Sequence, residues 1–172
     1  ASNYIANVSC GKNLINFLKI EVSNDTLFLS NDNKCNNLRS KETPIMINLN
    51  VKNLKKIRCE GYGDVNSTNT LLNDTLRLEA HLGDGLAKID FKGNHIATIF
   101  HSGPNDAIIS GETNSSFSYH VGVGSIDTRK LICNNASVVS RTSSIIAVSP
   151  KEKLYVEIIG SGDVFYNASL NP

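Results

Sequence analysis

Four aspartates recur at near-constant intervals: Asp64, Asp84, Asp106 and Asp127, spaced by 20, 22 and 21 residues. Each stands beside a turn-type stretch: "GYGD", "LGDG", "SGPND" and "GVGSID". If such carboxylates stack, two chemistries are open to them. Hard oxygen ligands hold calcium, and a carboxyl pair supplies the acid and base of glycoside hydrolysis. The plainer reading is an Asx-turn, in which a short side chain bonds its own backbone in a tight corner. At ~4.8 Å per stacked strand, like charges would also repel, and the glycine-rich calcium nonapeptide is absent. The four aspartates are therefore read as turn formers; they are the metal candidates weighed, and no metal, cofactor or catalytic residue is assigned. His81, His101 and His120 follow the same rhythm at 20 and 19 residues. That predicts imidazoles stacked on one outer face, solvated or bonded to neighbours rather than ligating a metal. No Ser/His/Asp set stands out.

The remaining reactive types say less. Cys10, Cys35, Cys59 and Cys133 form no Cys-x-x-Cys, which argues against a zinc site or a thioredoxin-like motif. Cys59 alternates with Ile57 on the inner side of a strand, so Cys59, and with it Cys133, is expected as a reduced, buried thiol. A Cys10–Cys35 bridge stays open for an exported protein. The glycine corners "GYGD" and "GSGD" lack the Lys-Ser/Thr of a phosphate-binding loop, and no helix follows them. Trp is absent and aromatics are 6%, leaving Tyr62, Tyr119, Tyr155 and Tyr166 as the platforms on which a sugar ring could stack.

Positioning these residues is a matter of strands. The chain has 172 residues, 40% of them hydrophobic, 19% charged, with a net charge of +1. That suffices for one domain with a core and excludes a disordered tail or a basic nucleic-acid binder. No run approaches the ~18 apolar residues of a membrane span. Asparagine occurs 22 times, and Ser and Thr are common, a strand-and-turn composition. The stretch "LRLEAHLGDGLAKIDFKG" reads strand, glycine turn, strand, glycine. Leu76, Leu78, Ala80 and Leu82 share one face, and Ala87, Ile89 and Phe91 alternate with charged neighbours. Comparable units begin near Leu54, Leu76, His95, Ser116, Ala136 and Leu154, at spacings of 22, 19, 21, 20 and 18 residues.

A unit of about twenty residues built from short strands cannot close its own core, so neighbouring units must stack. The expected architecture is all-β: a single-stranded right-handed parallel β-helix, or β-solenoid, with a β-sandwich as the alternative. Leu78, Ile99, Tyr119 and Val156 are expected as inward or near-inward members of one stacked face. The corners fall at Gly61, Gly63 and Asp64; at Gly83; at Gly103; at Gly122 and Gly124; and at Gly160, Gly162 and Asp163. Gly162 is expected to have positive φ or to lie too close to the next rung for a Cβ, and Asp163 to cap its turn. Residues 1–172 read as one domain, with 54–172 repetitive and 1–53 less regular. In that first part "IMINLNV" alternates, with Ile45, Ile47, Leu49 and Val51 inward, "CGKNLINFLKIEV" suits a short helical turn, and a strand from Asp25 leads into a polar loop.

Three ordered stretches carry a resemblance: "TLFLSNDNKCNNLRS" (26–40), "PIMINLNVKNLKKIRCEGYGDV" (44–65) and "LYVEIIGSGDVFYNASLNP" (154–172). They resemble the putative auto-transporter adhesin family, also called the head GIN domain. That family is rich in Ser-Gly-Ser-Gly-Asp-Val corners and ends on Gly-Ser-Gly-Asp-Val-Tyr-Tyr. The match here is Gly160, Ser161, Gly162, Asp163, Val164, Phe165 and Tyr166, while the middle corners are degenerate. The resemblance implies a right-handed β-helix, a further β segment upstream of Ala1, and an exported or lipid-anchored protein of a Gram-negative bacterium. Its location would be periplasmic, outer-membrane-anchored or secreted, with any lipid anchor upstream of Ala1. It brings no family catalytic residues. Two function classes follow. One is a non-enzymatic surface adhesin or scaffold whose partner is a cell-surface polysaccharide or protein, with no nucleic acid. The other is a carbohydrate-active enzyme of the pectin lyase or hydrolase type, resting on fold analogy alone.

Overall fold

The computed structural model describes residues 5–33 and 44–167. Two compact units divide the chain, Ala1–Lys52 and Asn53–Pro172. In the first, β1 (Ile5–Ser9) pairs antiparallel with a strand at Met46–Asn50, while β2 (Leu18–Ser23) and β3 (Thr26–Asn31) form an antiparallel hairpin. The hairpin turns through Asn24 and Asp25 at φ 48° and 57°. Two successive positive φ values mark the turn whose twist matches its strands, and Asn and Asp tolerate them. A 3₁₀ turn spans Ile15–Phe17, within the stretch expected to hold a short helical turn. The Met46–Asn50 strand is β4. Ile45, Ile47 and Val51 are half-buried, but Leu49 is exposed and is not an inward residue. The polar loop expected after β3, and with it Cys35, lies largely outside the described residues.

The second unit is a parallel β-solenoid of about 6 turns with rungs of ~20 residues. Its first strands are β5 (Lys56–Cys59), β6 (Val65–Asn66), β7 (Leu71–Leu72) and β8 (Thr75–Ala80). Three long strands follow: β9 (Gly85–Phe100), β10 (Asn105–His120) and β11 (Ile126–Ser140). The last are β12 (Ile146–Val148), β13 (Pro150–Ile158) and β14 (Val164–Tyr166). Every pairing among them is parallel, which excludes the β-sandwich.

The inward parity of β9 and β10 changes once, near Gly93 and Asn114; that of β11 changes twice, at Arg129 and Lys130, where its register with β10 shifts by one residue, and near Asn134. In β10 the buried positions run Ala107, Ile109 and Thr113, then Ser116, Ser118 and His120. One inward column is Ile57, Leu78, Thr98, Ser118 and Val138; Val156 continues its register but is exposed. A second is Val65, Ala87, Ala107, Ile126, Ile146 and Val164. These columns, with Phe91, Phe100, Ile109 and Leu131, make one continuous core. Burying a branched aliphatic or aromatic side chain contributes roughly 1.5–3 kcal/mol, so the stack is held mainly by its own interior.

Of the face expected at Leu78, Ile99, Tyr119 and Val156, Leu78 is inward and Ile99 is buried, but the four do not share one column and Val156 is exposed. Ile99 and Tyr119 lie one residue out of phase, on the outer face, beside Glu79 and Val139. Polar Thr98 and Ser118 take the interior instead. Hydropathy mispoints here because a stacked core accepts hydroxyls at places where apolar residues would normally announce the inner face. Leu82 also departs from its assigned face. It is 81% exposed at φ 52°, in a corner rather than on β8.

Candidate functional site

The corners come first because they set the register of everything else. Two columns of glycine run up one edge of the solenoid. A Cβ on Gly83 would come 2.4 Å from the Gly61 carbonyl oxygen, one on Gly103 2.3 Å from that of Gly83, and one on Gly122 2.5 Å from that of Gly103. The second column repeats this: Gly85 over Gly63, Gly124 over Asn105, and Gly162 over Ser144 at 2.1 Å. Gly160 faces the Thr142 carbonyl at 2.3 Å. So the "GSGD" turn uses glycine for close approach; Gly162 has no left-handed φ, whereas Gly124 has both the contact and φ 117°. Where a column lacks glycine, a polar side chain bonds the neighbouring rung. Asn105 Nδ2 donates to the Gly83 carbonyl, Thr142 Oγ1 donates to that of Gly122, and Ser144 Oγ accepts from the Gly124 amide.

The four aspartates do not form one ladder. Asp64 and Asp106 share a column but are separated by Leu86, two rungs or about 10 Å apart. Asp64 Oδ1 accepts the Leu86 amide at 2.9 Å, and Asp106 Oδ1 accepts the Ser125 amide and hydroxyl at 2.7 Å each. Each carboxylate thus caps the rung that follows it. Asp84 lies in a different column, bridged to Tyr62. Asp127 sits on β11, where the Arg129 guanidinium bonds its carboxyl and holds it below the usual carboxylate range. Asp163 is exposed and gives its backbone carbonyl to the Ile146 amide, while its carboxylate has no partner among the described residues. Among the described residues no group of three or more His, Cys, Asp or Glu converges on a point.

The histidine series splits as well. His81 and His101 stack with centroids 4.1 Å apart, on the outside. His120 does not join them: it pairs in register with Phe100, the residue before His101, and so faces the core. It is fully buried, edge-on to Phe100, and neither ring nitrogen has a hydrogen-bond partner; nor has the adjoining Ser140 hydroxyl. Burial pushes its imidazole below the ordinary value. Of the cysteines, Cys133 is buried with Sγ 3.7 Å from Ser116 Oγ, whereas Cys59 is only half-buried; burial raises both thiols. The Cys10–Cys35 pairing lies outside the described residues.

The face that could meet a ligand is the outer side of the sheet formed by β5, β8, the second halves of β9, β10 and β11, and β13. Three columns run along it. The outermost holds Arg58, Glu79, Ile99, Tyr119, Val139 and Glu157. The middle one holds Lys56, Arg77, Ala97, Phe117, Ser137 and Tyr155, and the third Thr75, His95, Ser115, Asn135 and Lys153. At one end Glu79 is 4% exposed beneath Lys56 and Arg77. Its carboxylate takes Lys56 Nζ at 2.6 Å and Arg77 Nε in a closer contact. Burial alone would raise the Glu79 carboxyl, but those hydrogen bonds and charges overcome it and bring it to about 2. Toward the other end a groove of about 730 Å³ crosses the three rungs of β10, β11 and β13 and reaches His95 of β9, with Phe117, Ser137 and Tyr155 along one side and Ser115, Asn135 and Lys153 along the other.

The groove's lining offers aromatic rings, hydroxyls, an amide, an imidazole and an ammonium. His95 Nδ1 lies 2.8 Å from Ser115 Oγ, a nucleophile–base distance, but no carboxylate orients the imidazole among the described residues. Phe117 was missed from sequence because only tyrosines were weighed as platforms, and its place beside Tyr155 depends on register across two rungs. Among the described residues no helix is long and apolar enough to cross a membrane. A family model described as "Putative auto-transporter adhesin, head GIN domain" matches residues 3–169. No curated protein and no solved structure matches the chain.

Proposed function

This chain belongs to the head GIN domain family, and on that premise we propose that it is a non-enzymatic adhesin or scaffold module displayed outside the cytoplasm of a Gram-negative cell. The outer face of the β5–β13 sheet is its contact surface. The observation that carries this reading is the three-rung groove with an aromatic side and a polar side. Mixed clefts of this kind hold ligands through apolar area and a few placed hydrogen bonds. The pectinase-type alternative draws no support from the acidic residues. Asp64 and Asp106 are committed to backbone amides, and Asp127 to Arg129. Two measurements test the proposal together. A protease added to intact cells should remove the protein, and beads coated with it should adhere to cell surfaces. Protein that stays protected inside intact cells, or coated beads that bind no better than bare ones, would overturn it.

A further inference from the structure

We infer that the groove on the outer face binds an extended, equatorially linked polysaccharide lying along the solenoid axis, with Phe117 and Tyr155 as its stacking platforms. This rests on the adhesive reading above and names the ligand class of that face.

The middle column alternates small and large: Ala97, Phe117, Ser137, Tyr155. Its two rings therefore stand two rungs apart, about 10 Å, with only a serine between them. An equatorially linked pyranose chain is extended, and each sugar advances it by close to the ~4.8 Å that separates neighbouring strands. One sugar then faces Phe117, the next lies over Ser137, and the third faces Tyr155. The C–H face of a pyranose is apolar and its rim is polar. An aromatic platform beside hydrogen-bonding groups matches that division.

The polar column supplies the second half of the match. Ser115, Asn135 and Lys153 stand two residues before Phe117, Ser137 and Tyr155 on the same strands and the same face, about 7 Å away. A hydroxyl, an amide and an ammonium between them donate and accept, as vicinal sugar hydroxyls require. The groove is open along its length, so a long chain can pass through rather than end in it.

Other linear polymers fit less well. An extended peptide repeats its side chains on one face every ~7 Å, out of step with platforms about 10 Å apart. A nucleic acid strand needs a row of cations, and the groove offers Lys153 with His95 at its far end.

The test is gel retardation by soluble polymers cast in the matrix: xylan and hydroxyethyl cellulose as equatorially linked chains, dextran as an axially linked control, and dextran sulfate as a polyanion. The expected result is retardation by xylan or hydroxyethyl cellulose and not by dextran. Tyr155 is 59% exposed, so Tyr155→Ala should fold normally and weaken binding about tenfold, the scale of one lost stacking contact. Ser137→Trp fills the notch between the rings and should abolish retardation, with circular dichroism and melting confirming the fold. No retardation by either equatorially linked polymer overturns the inference. So does retardation that survives Tyr155→Ala and Ser137→Trp in folded protein, or binding to dextran sulfate alone that salt removes. Bead adhesion that persists in Tyr155→Ala sinks this inference and leaves the adhesive reading standing. Protein found only inside cells sinks that reading while retardation in vitro is untouched.

Discussion

Replacing Glu79 by glutamine isolates the charge cluster at one end of the outer face. Its carboxyl falls from 4.5 to about 2 on folding, which caps the linked stability at about 3 kcal/mol, at 1.36 kcal/mol per pH unit. The Glu79 side chain is only 5% exposed, but those of Lys56 and Arg77 are 47% and 50% exposed. Water therefore screens the attraction from one side, and about half the ceiling, roughly 1–2 kcal/mol, is the expected cost of Glu79→Gln near pH 7. Glutamine keeps the shape, and both cations remain solvated, so no buried orphan charge inflates the number. A depressed carboxyl contributes its stability above the unfolded value of 4.5 and loses it as pH falls through about 2. The gap between the two proteins should therefore be full near neutrality and narrow below pH 4.5. Urea denaturation of both proteins across that range measures it. Equal stabilities near pH 7, or a gap that does not narrow on acidification, would refute the reasoning.

The stacked interior makes three further predictions. Ile109 is fully buried in the middle rungs, so Ile109→Ala should lower unfolding free energy by about 2–5 kcal/mol in urea melts; a loss below 1 kcal/mol would mean the core is looser than described. His120 is held neutral by burial, so its contribution is complete above 6.5 and is lost as pH falls below that value. The slope is at most about 1.4 kcal/mol per pH unit for one group; His120→Leu should flatten this limb, leaving the part from His101, whose imidazole burial and the neighbouring His81 charge lower in the same direction. A limb unchanged in the variant would show that His120 does not titrate with unfolding. Cys133 should resist iodoacetamide in the native protein and react in urea, read by mass spectrometry, because its thiol is buried and raised.

Much of the architecture is legible in the sequence, since the glycine corners and the alternation of Leu76, Leu78 and Ala80 both follow from repeating close contacts between rungs. What is not legible has a common cause: it depends on which residues of different rungs come into register. Asp84 and Asp127 share the rhythm of Asp64 and Asp106 but not their column, because corner lengths vary by a residue or two. Thr98, Ser118 and His120 are polar and still face inward, where hydropathy points the other way. Glu79 reads as a solvated outer residue and is buried by Lys56 and Arg77 from its own and the preceding rung. The antiparallel pairing of β1 with β4 has no local signal, since a strand's partner some forty residues away leaves no mark on its alternation.

The one-residue shift between β10 and β11 has a consequence for how such a chain can change. Ala107 pairs with Ile126 at a step of 19 residues, and beyond an irregularity between Ile108 and Ser110 the step is 20, with Val138 over Ser118. A lost or gained residue is thus absorbed by a bulge inside the strand, before the next corner. In an ordinary sheet a one-residue slip turns every later side chain to the wrong face; here the error is contained within one rung. The lengths of single rungs are thereby free to drift while the stack persists, and each such drift exchanges one outward residue for an inward one. Surface chemistry on this scaffold can therefore be rewritten by small insertions and deletions, not only by substitution.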